Sequence, residues 1–259
     1  MPEFSSHTPG TFCWPELATT DEKGATAFYR GLFGWDVKEV PIGADGTYSM
    51  FQLRGKPVAA GHTLRAEERG VPPHWGSYVS VASADEAANR AKGLGAQILA
   101  PPFDVMDAGR MAVLQDPTGA VFMVWQPKRH AGAAILQDPG SLCWTELMTG
   151  DTKSAQKFYT QLFGWSAKLG TDAGMEYTEL SNGGRPQAGL MAFPPQMGVK
   201  HPAWTPYFAV TDCDATAKKA TDLGGRTYVP PTDIPNVGRF AVLADPQGAV
   251  FDVIKVTQW

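Results

Sequence analysis

Hydrophobic and polar positions change period along the chain in a fixed rhythm. Thr11 to Thr20 alternates and reads as a strand. Asp21 follows as a helix N-cap, because its carboxylate can accept the orphan amides of the next turn. Ala25, Phe28, Tyr29, Leu32 and Phe33 then recur at helical spacing, and Gly34 stops the helix. Trp35 to Val40 predicts a second strand. A Gly43–Gly46 turn leads to a third, Thr47 to Leu53, and the Arg54–Pro57 turn to a fourth, Val58 to Leu64. The result is a βαβββ unit. After a linker from Arg65 to Pro73, the rhythm repeats. Trp75 to Val81 is a strand, Asp85 to Leu94 a helix, and Ala96 to Leu99 a strand ended by Pro101-Pro102. Arg110 to Leu114 and Ala120 to Trp125 flank an Asp116-Pro117-Thr118-Gly119 turn.

The same succession returns from Leu142 onward. Strands are expected at Leu142–Met148, Trp165–Leu169, Glu176–Leu180, Gln187–Phe193, Trp204–Val210, Arg226–Tyr228, Phe240–Leu243 and Val250–Val256. Helices are expected from Asp151 to Phe163 and from Asp214 to Leu223. The repeat is literal. Cys13 to Trp35 aligns with Cys143 to Trp165 at an offset of 143 − 13 = 130, with 14 identities in 23 positions. Gly109 to Val124 aligns with Gly238 to Val253 at 238 − 109 = 129, with 12 identities in 16. Two blocks in one order at nearly one offset indicate tandem duplication. The expected fold is α+β, four βαβββ units in two pairs, each pair forming a cupped mixed sheet with helices on its outer face. Residues 1–10 are expected to be a flexible arm, 11–127 the first domain, 128–140 a linker and 141–259 the second domain.

Composition narrows the function classes. Each half is of ordinary domain size, and 43% of the residues are hydrophobic, enough for a core in each. The net charge is −4 with no basic stripe, so no nucleic-acid partner is expected. No apolar run approaches the roughly 20 residues of a membrane span, so no membrane partner is expected. The N-terminal MPEFSSHTPG lacks a basic and an apolar region, which reads as no secretory signal. Three cysteines, Cys13, Cys143 and Cys213, argue against a disulfide scaffold and for a reducing, cytoplasmic setting. Cys13 and Cys143 are read as buried thiols packing as small hydrophobes.

The Asp…Phe-Tyr…Leu-Phe-Gly-Trp and Asp-Pro-x-Gly-Ala-Val-Phe motifs, on paired βαβββ units, resemble the vicinal oxygen chelate superfamily. That group contains glyoxalase I, bleomycin-resistance proteins and extradiol dioxygenases. Two full copies in one chain look like the actinobacterial two-domain proteins labelled hydroxylase or glyoxalase-like. The resemblance covers nearly the whole chain and speaks for the fold more than for the reaction. It implies metal ligands, His or Glu, on the concave face of each cup. Carried over, the ligand positions hold Trp14 and Trp144, Met123 and Asp252, Gly76 and Thr205, and His62 and Met191. A catalytic zinc takes about three protein ligands, and non-haem iron two His and a carboxylate. The family's metal pattern is therefore absent from both halves. No cofactor is expected and a divalent metal is disfavoured. His7, His74, His130 and His201 do not repeat and are expected on loops.

Strand alternation assigns what lines the cups instead. With Trp14 facing in, Glu16 and Ala18 face in, as do Trp144, Glu146 and Met148. Met123, Asp252, Tyr78 and Tyr207 follow by parity, and so do Tyr48 and Tyr177. Trp14 and Trp144 either plug the cups or form stacking walls for a planar ligand. Glu16 and Glu146 either pair with Arg110 or Arg239, or serve as general base or hydrogen-bond acceptor. Phe28, Tyr29, Phe33, Trp35 and their repeats read as core. Trp75 and Trp204 form a cup rim or pack between halves. One expected function is metal-independent binding of an aromatic or polyketide-like small molecule, for sequestration or self-resistance, with Trp14, Tyr48, His62, Tyr78, Met123, Trp144, Tyr177 and Tyr207 as ligand-binding residues. The alternative is a glyoxalase-like lyase or isomerase, or an oxygenase- or hydroxylase-type tailoring enzyme, in which Glu16, Glu146 or Asp252 moves a proton. A third reading makes one half a degenerate structural copy. The chain is expected to be a monomer with pseudo-two-fold halves or a homodimer.

Overall fold

A computed structural model describes residues 3–41, 47–64, 70–172, 175–194 and 201–257. The Gly43–Gly46 turn and the Arg65–Arg69 part of the first linker lie outside the described residues. In the first half the order is β1 (Phe12–Thr19), α1 (Glu22–Phe33), β2 (Asp36–Pro41), β3 (Thr47–Leu53), β4 (Lys56–Thr63), β5 (His74–Ser80), α2 (Ala84–Gly93), β6 (Gln97–Val105), β7 (Gly109–Gln115) and β8 (Val121–Pro127). The second half repeats it as β9 (Leu142–Thr149), α3 (Thr152–Phe163), β10 (Ser166–Asp172), β11 (Met175–Asn182), β12 (Arg185–Ala192), β13 (Ala203–Ala209), α4 (Cys213–Asp222), β14 (Arg226–Ile234), β15 (Gly238–Ala244) and β16 (Val250–Val256). No described helix is long and apolar enough to cross a membrane.

Local chemistry sets the helix ends. Asp21 and Asp151 accept the amides of Gly24 and Ser154 at 3.0 Å, and Gly34 and Gly164 close the helices in the left-handed conformation. Ser83 and Asp212 cap α2 and α4, which therefore start a residue ahead of expectation. The prolines Pro101-Pro102 do not end β6, contrary to expectation. β6 is an edge strand, and its pairing with β7 shifts register between Ala100 and Phe103, where the missing amides cost nothing. Pro230-Pro231 do the same in β14.

Each half is one eight-stranded mixed sheet, ordered β2-β3-β4-β1-β5-β8-β7-β6 and β10-β11-β12-β9-β13-β16-β15-β14. The first and fourth strands of each unit pair in parallel, and antiparallel β1–β5 and β9–β13 pairs join the units. The helix-bearing faces of the two sheets meet. One shared core joins the first unit to the fourth: Leu17, Phe28, Trp35 and Phe51 pack with Phe208, Phe251 and Val253. The other joins the second to the third, Val79, Phe122 and Val124 with Phe158, Trp165 and Leu190. Trp75 and Trp204 belong to these cores, so they pack between halves and form no rim.

The repeated motifs lock the halves. Tyr29 donates its hydroxyl to Asp245 Oδ2 at 3.1 Å and accepts Trp75 Nε1–H at 2.9 Å. Tyr159 donates to Asp116 Oδ2 at 2.9 Å and accepts Trp204 Nε1–H at 2.7 Å. The turn aspartate thus also caps the other half's helix tyrosine.

Candidate functional site

The sheets turn their other, concave faces outward, and these faces carry the polar chemistry. In the first, register places Trp14 opposite Tyr78, Glu16 beside Gly76, His62 between Ala18 and Tyr48, and Met123 beside Tyr78. The side chains meet. Tyr78 donates its hydroxyl to Glu16 Oε2, His62 Nδ1 lies 3.3 Å from Glu16 Oε1, and Trp14 Nε1–H donates to Tyr48 Oη at 3.3 Å. Burial pushes the Glu16 carboxyl up, but the His62, Tyr78 and Tyr48 hydrogen bonds outweigh it and hold Glu16 below its ordinary value. The expected partner Arg110 is elsewhere. It faces α2, forked onto Asp85 at 2.7 and 2.9 Å.

This first face is covered over Trp14. Residues 130–136 cross it: His130 stands edge-on to Trp14 with ring centroids 4.6 Å apart, and its carbonyl accepts Trp125 Nε1–H at 2.8 Å. Ala133 and Ala134 donate their amides to Cys13 O and Pro57 O, each at 2.8 Å. Gly132 permits the approach, since a Cβ there would sit 2.6 Å from the Cys13 carbonyl. The arm from Phe4 to Gly10, expected to be flexible, is packed on this segment. His7 is buried, its Nε2 lies 2.9 Å from Ala133 O, and its ring stacks on Phe4. His7, His130 and His201 lie outside helices and strands as expected, whereas His74 opens β5; His7 and His130 are pinned against the fold, and burial lowers both imidazoles. Trp14 is left 4% exposed.

The second face differs in chemistry and closure. Trp144 Nε1–H donates to Tyr177 Oη at 2.9 Å. Gly189 lets the Tyr177 hydroxyl lie directly over the strand, because a Cβ there would overlap it. The first half has Ala60 at that position. Tyr207 donates to Glu146 Oε1 at 3.1 Å and is the register partner of Asp252. Glu146 is not paired with Arg239, which faces α4 and holds Asp214 and Asp233. Asp252 is 1% exposed, and its Oδ1 has no hydrogen-bond partner among the described residues. Burial and the charge of Glu146 push its carboxyl well above the ordinary range, against the Tyr207 hydrogen bond. Burial and the Glu146 charge raise the Tyr207 phenol as well. Asp252 is therefore biased toward its protonated form beside a tyrosine–glutamate pair. Met191 stands where the first face has His62.

Among the described residues no segment crosses Trp144 as residues 130–136 cross Trp14. Cys143 and Trp144 are half-buried, where Cys13 and Trp14 are buried. Both thiols donate to strand carbonyls, Tyr78 O and Tyr207 O, and burial raises both, so neither is a nucleophile. A cleft of about 680 Å³ opens beside Trp144, bounded by the arm, by Leu136-Gln137 and by the β11–β12 hairpin.

A model of the Glyoxalase/Bleomycin resistance protein/Dioxygenase superfamily matches residues 12–124 and again 141–253. The chain belongs to that superfamily. Proteins named "Putative glyoxylase CFP32" in Mycobacterium tuberculosis and Mycobacterium bovis are 43% identical over 258 residues, 98% of both chains. The anthracycline biosynthesis protein DnrV of Streptomyces peucetius is 35% identical over 262 residues, 96% of this chain and 94% of its own. The Mn(II)-bound glyoxalase of Novosphingobium aromaticivorans shares the fold, with a TM-score of 0.66 at 14% identity over 95% of this chain and 82% of its own.

The superfamily raises the question of a metal, and the donors present do not fit one. The first face offers Glu16 and His62, already engaged with each other, and has Trp14, Gly76 and Met123 at the remaining ligand positions. The second offers Glu146 and Asp252 with no imidazole at Met191. Among the described residues no three His, Cys, Asp or Glu side chains converge.

Proposed function

We propose that the protein binds an aromatic or polyketide-like small molecule at its second concave face. Trp144 carries this reading: an indole oriented by Tyr177, half-buried, stands at the mouth of the cleft where the superfamily places a chelating residue. Such a ring offers stacking area at little entropic cost. Behind the indole, Tyr207 is the register partner of Trp144, and buried Asp252 beside it has an unpartnered Oδ1 that a ligand oxygen reaching past the ring would satisfy. The first face, sealed over Trp14, is the structural copy. The anthracycline biosynthesis relatives support a polycyclic ligand. Titration of a planar anthraquinone, followed by tryptophan fluorescence, tests the reading. Saturable quenching at one site per chain is expected; a flat response to a panel of planar ketones rejects it.

A second reading, catalysis, is favoured by the Glu146–Tyr207–Asp252 cluster. There Glu146 takes a proton from a ligand carbon or hydroxyl, which releases the Tyr207 hydroxyl from it to donate, with protonated Asp252, to the oxygen that gains charge. That arrangement suits a lyase, isomerase or tailoring step. Glu146→Gln abolishes turnover on this reading and leaves affinity within a few-fold. Full turnover in that variant removes it.

A further inference from the structure

The duplication lets each half serve as the control for the other at the cleft beside Trp144. In the first half the hairpin between β3 and β4 carries two cations, and both are neutralised: Arg54 by Asp138, and Lys56 by Glu3 with Nζ 2.8 Å from Oε2. The space beside that hairpin is taken by chain, with Ala134 bonded to Pro57 O and Ala133 and Ile135 buried. In the second half Arg185-Pro186 stands in the place of Lys56-Pro57, and Ala133 in the place of Glu3, the acid that holds Lys56. Arg185 has no ion-pair partner among the described residues. The space beside it is the open cleft, whose lining includes the apolar Trp144, Phe4 and Leu136 and the polar Arg185, Gln187 and Asn182. No Asp or Glu stands among its described lining residues.

We infer that this cleft selects planar aromatic carboxylates, with Arg185 anchoring the carboxylate while Trp144 stacks on the ring. The inference rests on the binding reading above and adds the charge of the ligand. A guanidinium matches a carboxylate with two parallel N–H···O bonds. The cleft offers one arginine and otherwise neutral polar groups, so a monoanion balances it where a phosphate would leave charge uncompensated. The asymmetry with the first half, where the equivalent cation has its own acid, leaves a bound anion as the partner for Arg185. Arg185 sits at the turn end of the hairpin, exposed and making no ion pair among the described residues, so its replacement spares the fold.

The full chain is titrated with anthraquinone-2-carboxylate and with the corresponding neutral amide, read by tryptophan quenching. The carboxylate is expected to bind about five- to tenfold more tightly, the range of a partly exposed charge-assisted contact. Arg185→Gln is expected to erase that preference while leaving the amide's affinity unchanged, and Arg185→Lys to keep part of it. The preference is also expected to shrink as salt rises. Equal affinity for the two probes, or a preference that survives Arg185→Gln, overturns the inference. If the two probes bind equally and Trp144→Phe weakens both, the binding reading stands while the charge selection falls. Failure of both probes to bind up to their solubility limits overturns both.

Discussion

Replacing Asp252 by Asn isolates the consequence of burying one carboxyl without a full set of partners. Asp252 is 1% exposed, its Oδ1 is unpartnered among the described residues, and Glu146 lies across Tyr207 from it. Burial, with the Glu146 charge, raises its folded-state value well above the ordinary one. Below about pH 4, the unfolded value, both states hold the proton and the group contributes no pH dependence. Above it the unfolded chain releases the proton and the folded chain keeps it, so the folded state binds one more. Stability then falls by about 1.4 kcal/mol per pH unit as pH rises, until the folded-state value is passed. Asn copies the neutral acid's shape and removes the titration. Urea denaturation of the two proteins at pH 5, 6, 7 and 8 reads the difference. The expected outcome is that Asp252→Asn gains on the parent with each unit of pH, at up to about 1.4 kcal/mol per unit. Parallel stability curves, or a variant that loses ground as pH rises, refute a neutral buried Asp252.

The inter-half locks predict a stability cost. Tyr29→Phe strands Trp75 Nε1 and Asp245 Oδ2, two buried groups at roughly 1–3 kcal/mol each, so denaturation should show a loss of about 2–6 kcal/mol, and Tyr159→Phe a similar one. A loss under about 0.5 kcal/mol in both removes the locks from the account. Because both cores are shared between halves, residues 1–130 expressed alone should show no cooperative unfolding transition and should expose apolar surface to a dye. Gly189→Ala should displace Tyr177 from Trp144 and weaken anthraquinone binding severalfold, whereas Ala60→Gly in the first half should leave binding unchanged.

The parts of this architecture that were legible in the chain are those fixed by local periodicity. Strand parity put Trp14, Glu16, Tyr78 and Met123 on one face, because alternation needs only the strand, and the structure has them in contact. The duplication exposed the second face in the same way. What parity could not show is which concave face is covered. That depends on the path of residues 128–140, a segment with no periodicity, pinned by backbone bonds to Cys13 and Pro57. Nor could it show that Tyr29 and Asp245 meet, since a contact across 216 positions leaves no local signal. Arg110 and Arg239 illustrate a different limit. They were candidates for Glu16 and Glu146 by charge alone, but the nearer Asp85 and Asp214 at the helix starts claim them. The one signal for the open cleft was a difference between repeats, with Ala133 and Gly189 standing where the other half has Glu3 and Ala60.

The most direct measurement is a crystal structure of the protein grown with a saturating planar anthraquinone. Flat density is expected stacked on the indole of Trp144, with an oxygen of the ligand reaching toward Tyr207 and Asp252, and an unchanged cover over Trp14. Density seated against Trp14 with residues 130–136 displaced, or a cation held by side chains within either concave face, would contradict the binding reading.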